Sequence, residues 1–305
     1  MPVNELIDST NDLGDRATLR SRSEEDGYLF FRSLLPAEDI LLMRSELLSV
    51  VRAHGFLKYT DDPLSGELDL VTLNRIPADK MRLDIGVPAA VYHDVQKLRY
   101  THGLPHHPRL RKLFETLFGA DVFVHPRHIV RMVTPHRDMV PTPIHQDFPL
   151  IQGTPNTWTC WFPIGECTKS LGGLAVLRAS HRKGYLPIDI AEGAGGITAQ
   201  LCPDEDQWLT TDYRVGDVLI FPSYTVHKAM PCQSKGRIRL SFDVRYQPAG
   251  EPIEAKSLLP HCDLTWDEIY ASWPDDDELK YYWRNLAQPI SPWDESLVQP
   301  GRRIC

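Results

Sequence analysis

Arg237-Ile238-Arg239-Leu240-Ser241-Phe242-Asp243-Val244-Arg245-Tyr246 alternates without a break, with Ile238, Leu240, Phe242, Val244 and Tyr246 on one side and Arg237, Arg239, Ser241, Asp243 and Arg245 on the other. Successive side chains of an extended chain point to opposite faces, so this pattern specifies a β-strand with one apolar face. In a half-exposed sheet the charged face meets water, which is the expectation for most of these charges. A guanidinium has a second use, because its planar fork matches a carboxylate through paired hydrogen bonds. Arg237 is the candidate for that role, and Arg239 shares its face.

Upstream of this strand, Asp-Val-Leu-Ile-Phe-Pro at 217–222 is a short apolar run ended by proline, which reads as a buried strand. His227 follows within a turn. Taken alone, it reads equally well as a surface-loop histidine. Further upstream the pattern His-x-Asp occurs three times, at His136/Asp138, His145/Asp147 and His261/Asp263. On a strand, residues i and i+2 point to one face and present both ligand atoms to one cation. His261 has no later histidine to complete a set, and His136 sits in a turn-like Thr-Pro-His-Arg-Asp followed by Pro141 and Pro143. The pair in Ile-His-Gln-Asp-Phe at 144–148, with apolar neighbours on both sides, is preferred. Two imidazoles and one carboxylate on one side of a cation leave three open positions, a set suited to non-haem Fe(II) with a cosubstrate and dioxygen.

His-Gln-Asp-Phe at 145–148, Trp-Thr-Cys-Trp at 158–161, Gly-Gly-Leu-Ala-Val-Leu-Arg-Ala-Ser-His at 172–181, His227 and Arg-Ile-Arg-Leu-Ser at 237–241 together resemble the phytanoyl-CoA dioxygenase family of Fe(II)/2-oxoglutarate oxygenases. The resemblance spans roughly residues 25–250. It implies that His145, Asp147 and His227 ligate iron and that Arg237 pairs with the C5 carboxylate of 2-oxoglutarate. It also places Arg131, Gln146 and Trp161 at the cosubstrate pocket, beside the readings of Arg131 as a solvated strand charge and Trp161 as plain core. The implied chemistry consumes 2-oxoglutarate and O2, releases succinate and CO2, and by default hydroxylates an aliphatic C–H bond. Asp147 argues against halogenation, since related halogenases lack this carboxylate; desaturation, epoxidation and ring formation stay open. Two departures stand out. Arg178-Ala179-Ser180-His181 replaces the usual Pro-Gly-Ser-His, so that Arg178 becomes a candidate to face the substrate and His181 reads as structural. Ala229 replaces a hydroxyl residue, with Thr225 or Ser241 as substitutes.

The chain has 305 residues, 42% of them hydrophobic, and a formal net charge of −8. That is ample for a core, and the acidic balance argues against nonspecific binding to nucleic acid or anionic membranes. Six cysteines at 160, 167, 202, 232, 262 and 305 form no Cys-x-x-Cys; reduced thiols are the simplest reading. The N-terminus lacks the charged and apolar regions of a secretory signal, no apolar stretch reaches the ~20 residues of a membrane helix, and a cytoplasmic location is expected.

Along the chain, residues 1–25 read as a loosely ordered arm and 26–250 as one oxygenase domain. Within that domain, 27–32 reads as a strand, a helix follows Pro36, 55–90 is an acidic loop rather than a calcium site, and helical patterns recur near 88–100 and 107–118. From about 120 to 247 short strands dominate. The fold class is mainly β with flanking helices around a double-stranded β-helix, a cupin-like jelly roll. The helices are expected to cover the apolar face of the 238–246 strand, with the metal cavity on the other face. Residues 184–214 and 55–90 are expected at a substrate entrance. The Trp-rich extension 251–305 either caps the domain or makes a homodimer contact, and the sequence favours neither. His102, His106, His107, His125 and His128 are read as structural or exposed. Two alternative functions remain: a jelly-roll metal enzyme that uses no keto acid, and a noncatalytic sandwich that binds a partner. The expected partner of the preferred reading is a small-molecule substrate.

Overall fold

The computed structural model describes residues 3–82, 84–136, 138–261 and 263–303. Two sheets form its centre. Their strands, in chain order, are β1 (Asn4–Glu5), β2 (Leu29–Phe31), β3 (Val122–Val124), β4 (Ile129–Val133), β5 (Trp158–Pro163), β6 (Leu174–Leu177), β7 (Trp208–Thr210), β8 (Val218–Pro222), β9 (His227–Ala229) and β10 (Arg239–Pro248). The six-stranded sheet runs β2-β8-β5-β10-β3, with β4 also paired to β10; the four-stranded sheet runs β1-β7-β6-β9. Apart from the parallel β1–β7 contact, these pairings are antiparallel. Two facing antiparallel sheets of this kind are the expected jelly roll.

The long alternating strand β10 organises the larger sheet. One of its edges carries β4 against Arg239–Asp243 and then β3 against Tyr246–Pro248, and β5 lies along the other edge. Its apolar side chains pack beneath helices. In α1 (Arg16–Asp26) only Leu19 is a buried apolar residue, whereas α2 (Ala37–Ala53) buries Ile40, Met43, Leu47, Leu48 and Val51 at helical spacing. Helix α3 (Pro108–Phe118) buries Leu110, Leu113, Phe114 and Leu117 and stops at Gly119, where φ is +66°. Phe114 stacks on Tyr246 of β10 with ring centroids 4.1 Å apart. The helices therefore cover the apolar face of β10, as the alternation predicts.

The charged face does not meet water. Arg239, Ser241, Asp243 and Arg245 are all at most 7% exposed, because this side of β10 faces the second sheet and lines an internal cavity. The expectation of solvated charges is corrected accordingly: the larger sheet is covered by helices on its apolar face and by the second sheet on its charged face.

Residues 3–25 also differ from the expected loose arm. Asp15 caps α1 by accepting from Thr18, Gly27 ends it, and Arg16 reaches the Phe118 carbonyl at 2.9 Å. The helix has almost no apolar stripe and is held by end caps and polar tertiary contacts, so its polar sequence shows no periodicity. Residues 184–214 hold a short hairpin, Ile188–Ile190 with Ile197–Ala199, and strand β7. In the extension beyond 250, Trp266, Ile269, Tyr270, Trp273 and Trp283 pack with Phe123 and Ile253. Cys160, Cys167 and Cys232 are free, whereas Cys202 is disulfide-bonded, which corrects the uniformly reduced reading; Cys262 and Cys305 lie outside the described residues. Among the described residues no helix is long and apolar enough to cross a membrane.

Candidate metal centre

His145 and His227 are 82 positions apart in the sequence and face each other as an isolated antiparallel pair. Each backbone N–H donates to the other's carbonyl, at 3.0 and 2.9 Å. This exchange sets the imidazoles 4.1 Å apart, centroid to centroid. Asp147 is not on a strand as expected. Its backbone is helical, with φ −71° and ψ −32°, and it heads the short helix Phe148–Ile151. That turn, rather than strand alternation, brings its carboxylate alongside His145. Asp147 Oδ1 lies 3.7 Å from His145 Nε2 and 3.8 Å from His227 Nε2. Among the described residues this is the one cluster of such groups able to hold a metal, with ligand atoms all within 4.8 Å of one another.

The protonation pattern suits a cation. His145 Nδ1 is 2.8 Å from the Pro143 carbonyl and His227 Nδ1 is 3.0 Å from the Thr225 carbonyl. A carbonyl only accepts, so each Nδ1 carries the proton and each Nε2 keeps its lone pair toward Asp147. Burial, then neighbouring His145, pushes the His227 pKa down to about 4, which keeps the ring neutral. Burial opposes ionisation of Asp147, but the Arg245 guanidinium beside it favours the charged form, and the carboxyl is held well below its ordinary range. Thr159 donates a hydroxyl hydrogen bond to Asp147 Oδ2. Two neutral imidazoles and an ionised carboxylate are a donor set that fits Fe(II).

These groups open on a cavity of about 420 Å³ that also holds Arg239, Arg131, Asp243, Arg245 and Trp161. Arg239 donates from Nη1 to Ser241 Oγ, and its buried Nε has no hydrogen-bond partner. Arg131 donates to Asp243 at 2.9 Å and to the Asp84 carbonyl at 2.7 Å. Trp161 lines the cavity and also packs edge-on to Tyr213 in the core.

Arg237 does not belong to this cavity. It is exposed, bridges Glu67 and donates to the Ser65 carbonyl at 3.3 Å. Regular pairing of β10 begins at Arg239, opposite Val133, so Arg239 is turned inside while Arg237 sits beyond the edge of the sheet. Gln146 is also displaced from its expected place. Flanked by His145 and Asp147, it points the other way, donating to the Gly184 and Tyr224 carbonyls and accepting from the Leu186 N–H. Arg178 pairs with Asp26 and Glu25 rather than facing the cavity. Of the two substitute hydroxyls, Thr225 is spent on the Gly27 carbonyl, whereas Ser241 meets Arg239.

The competing His-x-Asp pairs are accounted for. His136 lines the cavity, but its Nδ1 accepts from the Asp138 N–H and its Nε2 faces the Ile76 carbonyl at 3.4 Å. His261 meets the Tyr92 hydroxyl at 3.0 Å and Asp263 is exposed. Sequence reasoning missed Arg245 and Thr159. Arg245 shares the parity of Arg239 on β10 and Thr159 that of Trp161 on β5, so alternation held the signal once one cavity residue on each strand was known.

The phytanoyl-CoA dioxygenase family model matches residues 23–241. A 1-deoxypentalenic acid 11-beta-hydroxylase of Streptomyces exfoliatus is 28% identical over 271 residues, covering 85% of this chain and 90% of the relative. The enzyme of the same name from Streptomyces arenae is 28% identical, with 84% and 89% covered. Among solved structures, the epimerase SnoN in complex with Fe3+, alpha ketoglutarate and nogalamycin RO superposes with a TM-score of 0.53 at 21% identity, covering 77% of this chain and 84% of that one. That last likeness supports the jelly-roll fold.

Proposed function

The chain belongs to the phytanoyl-CoA dioxygenase family and is an Fe(II)- and 2-oxoglutarate-dependent oxygenase, and from that premise we propose that it hydroxylates an aliphatic C–H bond of a small molecule at the His145–Asp147–His227 site. In this reading His145 and His227 offer Nε2 and Asp147 offers Oδ1 to the iron. Arg239 takes the C5 carboxylate of 2-oxoglutarate and Ser241 holds the guanidinium in place. The observation that carries the reading is the sharing of one buried cavity by the three ligand groups and by an arginine with an unspent buried N–H. The chemistry supplied when metal and cosubstrate are bound is the conversion of 2-oxoglutarate, O2 and R–H into succinate, CO2 and R–OH.

The chain's own residues do the rest. The Pro143 and Thr225 carbonyls fix the imidazole tautomers. Thr159 and Arg245 fix the rotation of the Asp147 carboxylate. Val133, Leu174 and Phe221 make the cavity wall apolar, which strengthens the ionic contacts inside it by excluding water. The two relatives named as hydroxylases favour hydroxylation as the outcome. The test is a screen for compounds that stimulate succinate release from 2-oxoglutarate by the Fe(II)-loaded protein, with the product analysed by mass. A gain of one oxygen atom is expected. Compound turnover without 2-oxoglutarate, at an undiminished rate, would overturn the proposal.

A further inference from the structure

A second chamber of about 240 Å³ adjoins the first, and Asp84, Arg131, His145, Asp147 and Arg245 line both. Two of the three candidate metal ligands, His145 and Asp147, therefore stand in a partition between two spaces, while His227 and Arg239 line only the first. The second has its own chemistry. Arg127, Arg131, Arg245 and Lys256 bring four cationic side chains to its lining, with the carboxylates of Asp84 and Asp147; Arg131 is paired with Asp243 at 2.9 Å, and the Lys256 ammonium rests over the Trp293 ring at 3.7 Å. Both carboxylates are already ion-paired, Asp84 with Arg82 at 2.9 Å and Asp147 with Arg245 at 3.2 Å. Arg127 and Lys256 are drawn together, since Arg127 Nη1 donates to the Lys256 carbonyl at 3.0 Å. Arg245 keeps a buried Nε without a hydrogen-bond partner. On the same wall, burial and then the charges of Arg127 and Arg131 hold His261 well below its ordinary basicity, so this histidine adds no charge of its own. The remaining wall is apolar, formed by Ile129, Leu150, Ile151 and Ala194. Like charges converging on a partly dry wall repel one another, and an anion relieves that repulsion.

We infer that the second chamber receives the substrate by an anionic head, a carboxylate carried on a compact apolar skeleton, with Arg127 and Arg245 as its anchors and Lys256 at the mouth. The inference rests on the reading of the Arg239 end as the seat of 2-oxoglutarate. Arg239 and Arg245 are six residues apart on one extended strand, roughly 20 Å between Cα atoms. The two anions thus have different anchors, since Arg239 lines the first chamber alone and Arg127 the second alone, with His145 and Asp147 between the chambers. The apolar skeleton rests on Ile129, Leu150 and Ile151 beside the partition, where its C–H bonds come next to the metal site.

The probes are 1-adamantanecarboxylate and the uncharged 1-adamantanecarboxamide, titrated calorimetrically into Mn(II)-loaded protein saturated with 2-oxoglutarate. The carboxylate is expected to bind at least about tenfold more tightly than the amide, the effect of one charge-assisted pair. Arg127→Gln is expected to remove that preference and leave 2-oxoglutarate affinity unchanged, and Lys256→Gln to reduce it. Equal affinity for the two probes in the unsubstituted protein overturns the inference without recourse to any variant. Competition between the carboxylate and 2-oxoglutarate also overturns it, because the probe would then sit at Arg239. Parallel titrations without 2-oxoglutarate separate the two readings. A protein that prefers the carboxylate yet binds no 2-oxoglutarate retains this anion chamber and loses the oxygenase assignment instead.

Discussion

Arg245 Nη2 lies 3.2 Å from Oδ2 and 3.3 Å from Oδ1 of Asp147, so a buried guanidinium is fastened to the one carboxylate of the candidate metal centre. The contact holds the carboxylate ionised and oriented before any cation arrives. It also means that the metal-free protein already contains a complete buried ion pair. Removing one partner of such a pair leaves an uncompensated charge, at a cost of about 3–5 kcal/mol.

Arg245→Met should therefore destabilise the metal-free protein by about that amount, and Mn(II) should recover much of the loss by supplying a replacement positive charge. Denaturant midpoints with and without Mn(II) measure this. Equal destabilisation in both conditions would show that Arg245 acts by packing alone.

His145→Ala, Asp147→Ala and His227→Ala should each abolish turnover and Mn(II) binding measured by calorimetry. His136→Ala should keep Mn(II) binding, because both ring nitrogens of His136 face the protein's own groups, the Asp138 N–H and the Ile76 carbonyl. Loss of metal from all four variants would refute the choice of ligand set.

Arg239→Gln should raise the KM for 2-oxoglutarate about 10- to 100-fold, the equivalent of a charge-assisted hydrogen bond of about 1.5–3 kcal/mol. Arg237→Gln should leave it nearly unchanged, since Arg237 is exposed and donates to the Ser65 carbonyl. The opposite ranking would return the anchor to residue 237.

Gln146→Leu should lower stability without changing the KM for 2-oxoglutarate. It strips the Gly184 and Tyr224 carbonyls and the Leu186 N–H of their partner, and unpaired buried groups cost about 1–3 kcal/mol each. Thermal unfolding and a 2-oxoglutarate titration of one preparation test both halves.

Acid should unfold the protein well above the carboxylate range. Burial pushes His102, His106 and His125 each down to about 4, and His128 well below its ordinary value. Between about pH 6.5 and 4 the unfolded chain binds protons at these positions that the folded chain refuses, so stability falls with pH by up to about 1.4 kcal/mol per pH unit for each histidine. Above pH 6.5 these histidines contribute no slope. Because His102 lies against Trp266 and Trp273, tryptophan fluorescence should report the same transition. A urea midpoint independent of pH between 7 and 5 would contradict this.

The sequence by itself determined the central strand of the sheet and singled out the three candidate iron ligands. Strict alternation over 237–246 has one physical reading, an extended strand with an apolar face. His145 and Asp147 stand out from the other two His-x-Asp pairs because apolar residues flank them, and His227 because it comes just before the alternating strand. Local periodicity also gave the helices after Pro36 and near 107–118, since burial of a stripe imposes its own spacing.

Only the tertiary structure decided what faces what. Whether the charged side of β10 meets water or a cavity depends on a second sheet contributed by distant segments. Whether Arg237 or Arg239 is inside depends on where pairing with β4 begins, two residues that alternation treats as equivalent. The joining of His145 to His227 is a pair of backbone hydrogen bonds closed across 82 positions, and Arg245 reaches Asp147 across 98. Such contacts are fixed by chain topology, which no local pattern encodes.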